Sequence, residues 1–289
     1  MDDGERPAPV EWDDYATWLV DAWSTCLAGA TSERQVQEFL EQHPSLLPGA
    51  TDSAGVLGHH PACWDAVIRQ PELKGLGPGR QPDFMWVRRD TAAVRPVLIE
   101  IEDPNKHWFN PSNRNPTAET THALDQLIEW KVWFQDSENR LIFEKRYVPQ
   151  EFRHRPLEPQ YVLIHGRQSE FDEITSPHES PLYMRRKRDL MRRERELFFT
   201  YDQLRPDDEA RDYATLTATT TGFKLDALPP TFATGHNTAD LAALIADPAL
   251  ALAQVPLISD ARRAFLHERW KYWRQQRLAG SPAGLVVRE

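Results

Sequence analysis

The chain has 289 residues, of which 40% are hydrophobic, and it includes 10 tryptophans and 12 phenylalanines. This composition is typical of a folded protein with a real core, and it excludes an intrinsically disordered chain. No apolar run approaches the roughly 20 residues of a membrane-spanning helix, and the opening MDDGERPAP lacks the basic and apolar segments of a secretory signal. Cys26 and Cys63 form neither a metal-binding nor a disulfide pattern. We therefore expect a cytoplasmic protein without a membrane partner.

The net charge argues against a surface that binds nucleic acid over its whole extent. The 34 Lys and Arg residues against 44 Asp and Glu residues give a formal charge of −10. Any contact with nucleic acid therefore requires a local basic patch. The segment MRRKRDLMRRERE, residues 184–196, is such a patch, with seven Arg or Lys residues. Since basic runs in helices are more often solvated faces than binding sites, the patch is informative only if another feature indicates nucleic acid.

The first part of the chain has the pattern of two helices, a long loop and a β-hairpin. Aromatic and apolar residues spaced by three and four predict amphipathic helices at residues 11–30 and 31–43. Glycines and prolines recur through residues 48–81, which predicts a loop. Apolar and β-branched residues predict strands at 83–89 and 94–102, and the polar segment RDTAA between them predicts a turn.

The rest of the chain alternates helices and strands and ends in helices. We expect, in order, a helix at 118–135, strands at 141–148 and 160–165, a long helix that contains the basic patch, a strand at 197–204, and helices at 209–220, 238–253 and 259–278. This order predicts an α/β core with a helical C-terminal appendage. We divide the chain into an N-terminal helix (1–30), a central domain (31–205) and a helical C-terminal region (206–289).

Two glutamates interrupt the segment VLIEIED, residues 97–103, which otherwise has the pattern of a buried strand. Because side chains alternate along a strand, Glu100 and Glu102 share one face with Leu98. A hairpin with the preceding strand brings Asp83 close to both. Three carboxylates at one point repel each other unless a hard divalent cation lies between them. Such a cation, held beside a phosphate, is the arrangement of metal-dependent phosphodiester hydrolysis.

The pattern Pro82-Asp83 followed by IEIE at 99–102 resembles the core of PD-(D/E)XK nucleases, and the wider chain resembles the Shedu family of antiphage defence nucleases. The resemblance covers residues 31–205 and includes the segments ERQVQEFLEQHPSLL, ALDQLIEW, YVLIHGR and FTYDQL. It implies a restriction-endonuclease-like mixed sheet flanked by helices. It also implies a DNA endonuclease that uses Mg²⁺ or Mn²⁺ and assembles as a homo-oligomer.

The resemblance also implies roles for individual residues. Asp83 and Glu100 would hold the metal. Glu33 would be a further acidic group of the site, although Glu38 and Glu41 compete with it for that role. Gln126 matches the glutamine that such nucleases carry on the helix after the acidic strand, where it would position a phosphate or the attacking water.

One position departs from the family pattern, because these nucleases have a lysine where Glu102 stands. The lysine normally orients the attacking water and offsets the charge of the transition state. Glu102 would therefore be a metal ligand or a general base, or else the site has lost hydrolysis and the protein only binds or senses nucleic acid. Lys106 or Lys131 could supply a migrated ammonium group, and we favour Lys106. A third reading is a structural protein whose acidic strand is paired with the arginine-rich helix.

With this context, the basic patch is predicted to bind DNA. Its side chains would contact the phosphate backbone, with an affinity that falls as salt rises. The residues concerned are Arg185, Arg186, Lys187, Arg188, Arg192, Arg193 and Arg195.

Overall fold

A sheet of seven strands forms the centre of the protein, and helices cover both of its faces. The computed structural model describes residues 6–51, 60–75, 79–280 and 288–289. Within these residues the strands are β1 (Ala66–Arg69), β2 (Phe84–Arg89), β3 (Val94–Ile101), β4 (Gln160–Ile164), β5 (Glu196–Phe199), β6 (Ala214–Thr219) and β7 (Gly222–Ala227). The helices are α1 (Trp12–Gly29), α2 (Glu33–Gln42), α3 (Ala118–Trp133), α4 (Ser137–Tyr147), α5 (Pro181–Met191), α6 (Thr238–Leu244), α7 (Ala249–Gln254) and α8 (Asp260–Leu278).

The strands lie in the order β5-β4-β3-β2-β1-β6-β7 and run in mixed directions. β2 and β3 form the predicted antiparallel hairpin, whereas β3, β4 and β5 are parallel. β1 is antiparallel to β2 and parallel to β6, and β7 returns antiparallel beside β6. Parallel neighbours need long crossover connections, which α3, α4 and α5 supply. The predicted mixed α/β sheet with flanking helices is confirmed.

Alternation of side chains along the strands divides the core into two layers. Trp86 and Ile99 point to the face that α1 and α2 cover. Met85 and Leu98 point to the opposite face, where α3 and α4 pack. A third cluster joins β6 and β7 to the last three helices around the fully buried Trp270. Burial of each large apolar side chain contributes about 1.5–3 kcal/mol to the stability of the fold. Helices therefore pack on both faces of the sheet.

Residues 141–148, for which we expected a strand, belong to α4 instead. The Asp136 carboxylate accepts hydrogen bonds from two backbone N–H groups, at 2.8 and 3.0 Å, and so caps the start of the helix. Phe143 and Tyr147 then share the buried face of the helix, four residues apart. The strand prediction was wrong because the apolar triplet LIF fits a strand and a helix equally well.

The sheet continues into the region that we expected to be helical. Residues 214–219, within a predicted helix, form β6, and its partner β1 lies within the loop predicted at 48–81. The helices predicted at 238–253 and 259–278 are present as α6, α7 and α8. The C-terminal region therefore adds two strands as well as helices, and the sheet extends past residue 205.

Parts of the predicted segments lie outside the described residues. The N-terminal helix segment begins with residues 1–5, the predicted loop contains residues 52–59 and 76–78, and the C-terminal region contains residues 281–287. Predictions for these positions remain predictions. Among the helices of the described ranges, none combines the length and the apolar character that crossing a membrane requires.

Candidate active site

The hairpin register brings Asp83 and Glu100 together. Phe84 of β2 pairs with Ile99 of β3, so Asp83, one residue before β2, lies opposite Glu100. The Asp83 N–H donates to the Ile99 carbonyl at 3.1 Å, and the Ile101 N–H donates to Asp83 Oδ2 at 2.9 Å. These bonds extend the antiparallel ladder by one residue. They hold the two carboxyl groups side by side on the sheet face that α3 covers.

Glu100 is buried, Asp83 is partly buried, and the electrostatic environment disfavours the charged form of both. Burial, followed by the charges of Asp83, Glu102 and Glu33, raises the pKa of Glu100 well above its usual range. Burial likewise raises the pKa of Asp83 to about 7, although the hydrogen bond from the Ile101 N–H opposes the shift. The charge of Asp83 acts on Glu100 across the hairpin, and Glu100 Oε2 is buried without a hydrogen-bond partner among the described residues. Such a pair retains a proton until a cation neutralises it.

Neither member of the pair is neutralised by a basic side chain. Within the residues that the structure describes, Asp83 and Glu100 form no ion pair with an arginine or a lysine. In the described ranges, no arginine of the basic patch forms an ion pair with Asp83, Glu100 or Glu102, so the third reading, an acidic strand paired with the arginine-rich helix, lacks its essential contact. The buried charges therefore require another explanation.

Glu102 and Glu33 lie at the same end of β3. The Glu102 N–H donates to the Ile164 carbonyl at 3.0 Å, and the Glu102 carboxylate lies 3.4 Å from the Lys106 ammonium. Glu33 is the first residue of α2 and is partly buried. Burial and the charge of Glu102 raise the pKa of Glu33, while Lys106 lowers it. Glu33 thus lies near the carboxyl groups at this end of β3, and its role in the site stays a prediction.

The alternatives to Glu33 as the further acidic group, and to Lys106 as the ammonium group, form ion pairs of their own. Glu38 pairs with Arg34 at 2.7 Å. Glu41 pairs with Arg69, the β1 arginine, at 2.6 Å. Lys131 pairs with the buried Glu196 at 2.6 Å, on the side of the sheet that carries β5. Of the competing candidates, Glu33 is therefore the one whose charge acts on Asp83 and Glu100, and Lys106 is the one that pairs with Glu102.

Gln126 follows the acidic cluster along α3. It lies one helical turn after His122, which is close to Glu102; burial raises the pKa of Glu102, while the charges of Lys106 and His122 oppose that rise. The Gln126 Oε1 atom is buried and lacks a hydrogen-bond partner. Trp130, a further turn along, is buried in the apolar core instead. An amide with an unused acceptor on this face of α3 fits a group that contacts substrate or water.

The donor set fits Mg²⁺ or Mn²⁺ through two carboxylates. In the described part of the chain, no three His, Cys, Asp or Glu side chains are arranged to hold a metal ion. Mg²⁺, however, is commonly held by one or two carboxylates together with waters and a phosphate. Asp83 and Glu100 supply two such groups, and the unpartnered Glu100 Oε2 supplies a free acceptor. Glu102 as a third ligand stays a prediction, because the structure pairs it with Lys106.

A comparison with known protein families finds a match to the region that contains these elements. The model of the C-terminal region of the Shedu protein SduA matches residues 30–204. The chain belongs to the Shedu family. The match contains β1 to β5, α2 to α5 and every residue of the acidic cluster, and the Shedu family is associated with antiphage defence. No curated protein matches this Shedu chain.

Some basic side chains of the patch in this Shedu chain bind other parts of the same chain. Arg188 is only 5% exposed and lies 4.8 Å from the centre of the Phe171 ring. Arg185 donates to the Phe171 carbonyl at 2.9 Å, and Lys187 donates to the Arg114 carbonyl. The helix ends at Met191, so the last arginines lie beyond it. The residues that remain exposed for DNA are Arg186, Arg192, Arg193 and Arg195.

Two residues of the site region were not foreseen. Tyr201 is fully buried, and its hydroxyl donates to the Glu102 carbonyl at 2.5 Å. The strand predicted at 197–204 ends at Phe199, and Tyr201 begins a short 3₁₀ helix whose contact with Glu102 joins positions 99 residues apart. Glu170 is also buried and bonds the chain just after Lys106. No local sequence signal marks either contact.

Proposed function

We propose that this Shedu protein is a metal-dependent DNA endonuclease that hydrolyses phosphodiester bonds in antiphage defence. The observation that carries the proposal is the Asp83–Glu100 pair, which has no basic partner within the described part of the chain and one buried acceptor oxygen without a hydrogen bond. Burying two adjacent carboxyl groups is costly. A cation-binding role explains why the fold retains them.

The residues of the site divide the chemistry between them. Mg²⁺ or Mn²⁺, when bound, neutralises the phosphate and lowers the pKa of an attacking water. Asp83 and Glu100 hold that cation, and the Ile101 N–H keeps Asp83 in its orientation. Lys106 supplies the positive charge that the motif position lacks, while Gln126 directs its free amide oxygen toward water or substrate.

Nuclease assays of neutral variants test this proposal. The purified protein is incubated with plasmid and linear DNA in Mg²⁺, Mn²⁺ or EDTA. We expect metal-dependent cleavage that disappears in Asp83→Asn and in Glu100→Gln. Both variants replace a carboxyl group and keep the side-chain shape, and a melting temperature no lower than that of the unaltered protein shows that loss of activity is not unfolding. Glu38→Gln, an exposed position on α2, is the matched control and retains cleavage.

A second function is favoured by one observation, the carboxylate at position 102. Glu102 stands where the nuclease motif has lysine, and it uses the nearby Lys106 as its own ion-pair partner. A site disabled in this way would leave a protein that binds or senses nucleic acid through the exposed arginines. Salt-sensitive DNA binding by the unaltered protein, without cleavage in either metal, would establish this function and refute the first.

A further inference from the structure

The segment 102–109, which leads from β3 toward α3, is fastened to the protein close to Lys106. At its start, the Tyr201 hydroxyl donates to the Glu102 carbonyl at 2.5 Å. In the middle, the Lys106 carbonyl packs against Gly166, which has a φ of +63°. A Cβ atom at Gly166 would lie 2.7 Å from that carbonyl oxygen, so the segment fits only against a glycine.

The far end of the segment is held by one buried carboxylate. Glu170 is 1% exposed; its Oε2 accepts from the Trp108 N–H at 2.8 Å and its Oε1 accepts from the Phe109 N–H at 3.0 Å. His178 Nε2 lies 3.1 Å from Oε1. An ionised carboxylate only accepts, so His178 donates through Nε2. The Trp108 indole also donates to the His165 carbonyl at 2.8 Å. Hydrogen bonds to an ionised acceptor are roughly twice as strong as neutral ones.

We infer that Glu170 is a positioning residue for Lys106. The inference rests on the proposed function, in which Lys106 supplies the missing positive charge. A lysine side chain is long and flexible, and that of Lys106 is 40% exposed, so it is restrained chiefly by its backbone. Glu170 fixes that backbone by binding the N–H groups of the second and third residues after Lys106, Trp108 and Phe109.

The position of the Lys106 ammonium group should affect the rate of catalysis, because a charged group must be placed to within about one ångström of its working position. A displacement of that size can cost about 100-fold in rate. Glu170 lies behind the segment and is buried, so it acts through Lys106 rather than on DNA. Weakening its hold is therefore expected to slow the chemical step and to leave the binding of DNA unchanged.

The variant Glu170→Gln tests the inference. Glutamine has the same shape, but it offers one acceptor oxygen, and its amide group donates toward a backbone N–H. We expect amide hydrogen exchange at Trp108 and Phe109 to accelerate by about tenfold or more without metal or DNA. We expect kcat for DNA cleavage to fall by about tenfold to 100-fold, while KM for DNA stays within about twofold because the exposed arginines are untouched.

Asp136→Ala is the matched control. The Asp136 carboxylate also accepts from two consecutive backbone N–H groups, but at the start of α4, away from segment 102–109. This variant should lower the melting temperature and leave kcat unchanged. If Glu170→Gln does not fold, His178→Leu replaces it. This variant removes the side chain that holds Glu170 Oε1 in place, so we expect smaller changes in the same direction, with faster exchange at Trp108 and Phe109 and a lower kcat. His178→Gln keeps a donor and should restore the rate.

The outcomes separate the inference from the function on which it rests. Unchanged exchange at Trp108 and Phe109 in Glu170→Gln overturns the inference. So does faster exchange with an unchanged kcat, a loss expressed only in KM, or an equal loss of kcat in Asp136→Ala. If the unaltered protein cleaves no DNA, the proposed function fails and with it the catalytic consequence, while exchange still decides whether Glu170 holds the segment.

Discussion

The stability of the metal-free protein should depend on pH through Asp83. Its pKa is raised from an ordinary 3.8 to about 7, so between these values the folded protein binds the proton more tightly than the unfolded chain does. Stability is therefore lost as pH rises through this window, by about 4 kcal/mol in total at 1.36 kcal/mol per pH unit. Most of this loss, about 3 kcal/mol, falls between pH 5 and pH 8. Asp83→Asn is neutral at every pH and should gain that amount on the unaltered protein over the same interval.

Urea unfolding in EDTA, followed by tryptophan fluorescence at pH 5 and pH 8, measures this difference. Asp90→Asn is the control, because its hydrogen bond with Arg95 holds the pKa of Asp90 at about 2, outside the interval. Its difference from the unaltered protein should be equal at both pH values. Added Mg²⁺ should stabilise the unaltered protein more at pH 8, since its ligands must lose their protons. A difference for Asp83→Asn that does not change with pH would refute the reasoning.

Three further predictions concern neighbouring residues. Lys106→Met should lower cleavage by about 100-fold to 1,000-fold, whereas Lys131→Met should not, and equal effects in the nuclease assay would contradict the assignment of the ammonium group. Arg188→Leu should lower the melting temperature, while Arg186→Ala should leave it unchanged. Arg186→Ala should also reduce, by about 0.9, the slope with which the logarithm of DNA affinity falls as the logarithm of salt concentration rises. An unchanged slope would show that Arg186 does not contact DNA. Tyr201→Phe should cost about 1–3 kcal/mol in urea unfolding, because it leaves a buried carbonyl without its donor, and a cost near zero would show that water replaces the hydroxyl.

The acidic pair was predictable because its signals are local. Alternation along VLIEIED places Glu100 on one face, and the short turn before β3 fixes the hairpin that brings Asp83 opposite. The same reasoning could not find β1, whose four residues pair with β6 far along the chain. It also could not find Glu170, because that contact depends on how the turn after β4 folds back on the segment after β3. Non-local packing decides such features, and a single sequence does not display it.

The pairing of β1 with β6 has a consequence for how this protein can be divided. The matched family region ends at residue 204, yet β1 within it finds one of its two neighbours beyond that point. A fragment cut there would present the backbone N–H and C=O groups of β1 as a bare edge, and such edges recruit other chains. In the whole chain β6 pairs with β1 along this edge, so a shortened protein must either keep β6 and β7 or replace them with another cover.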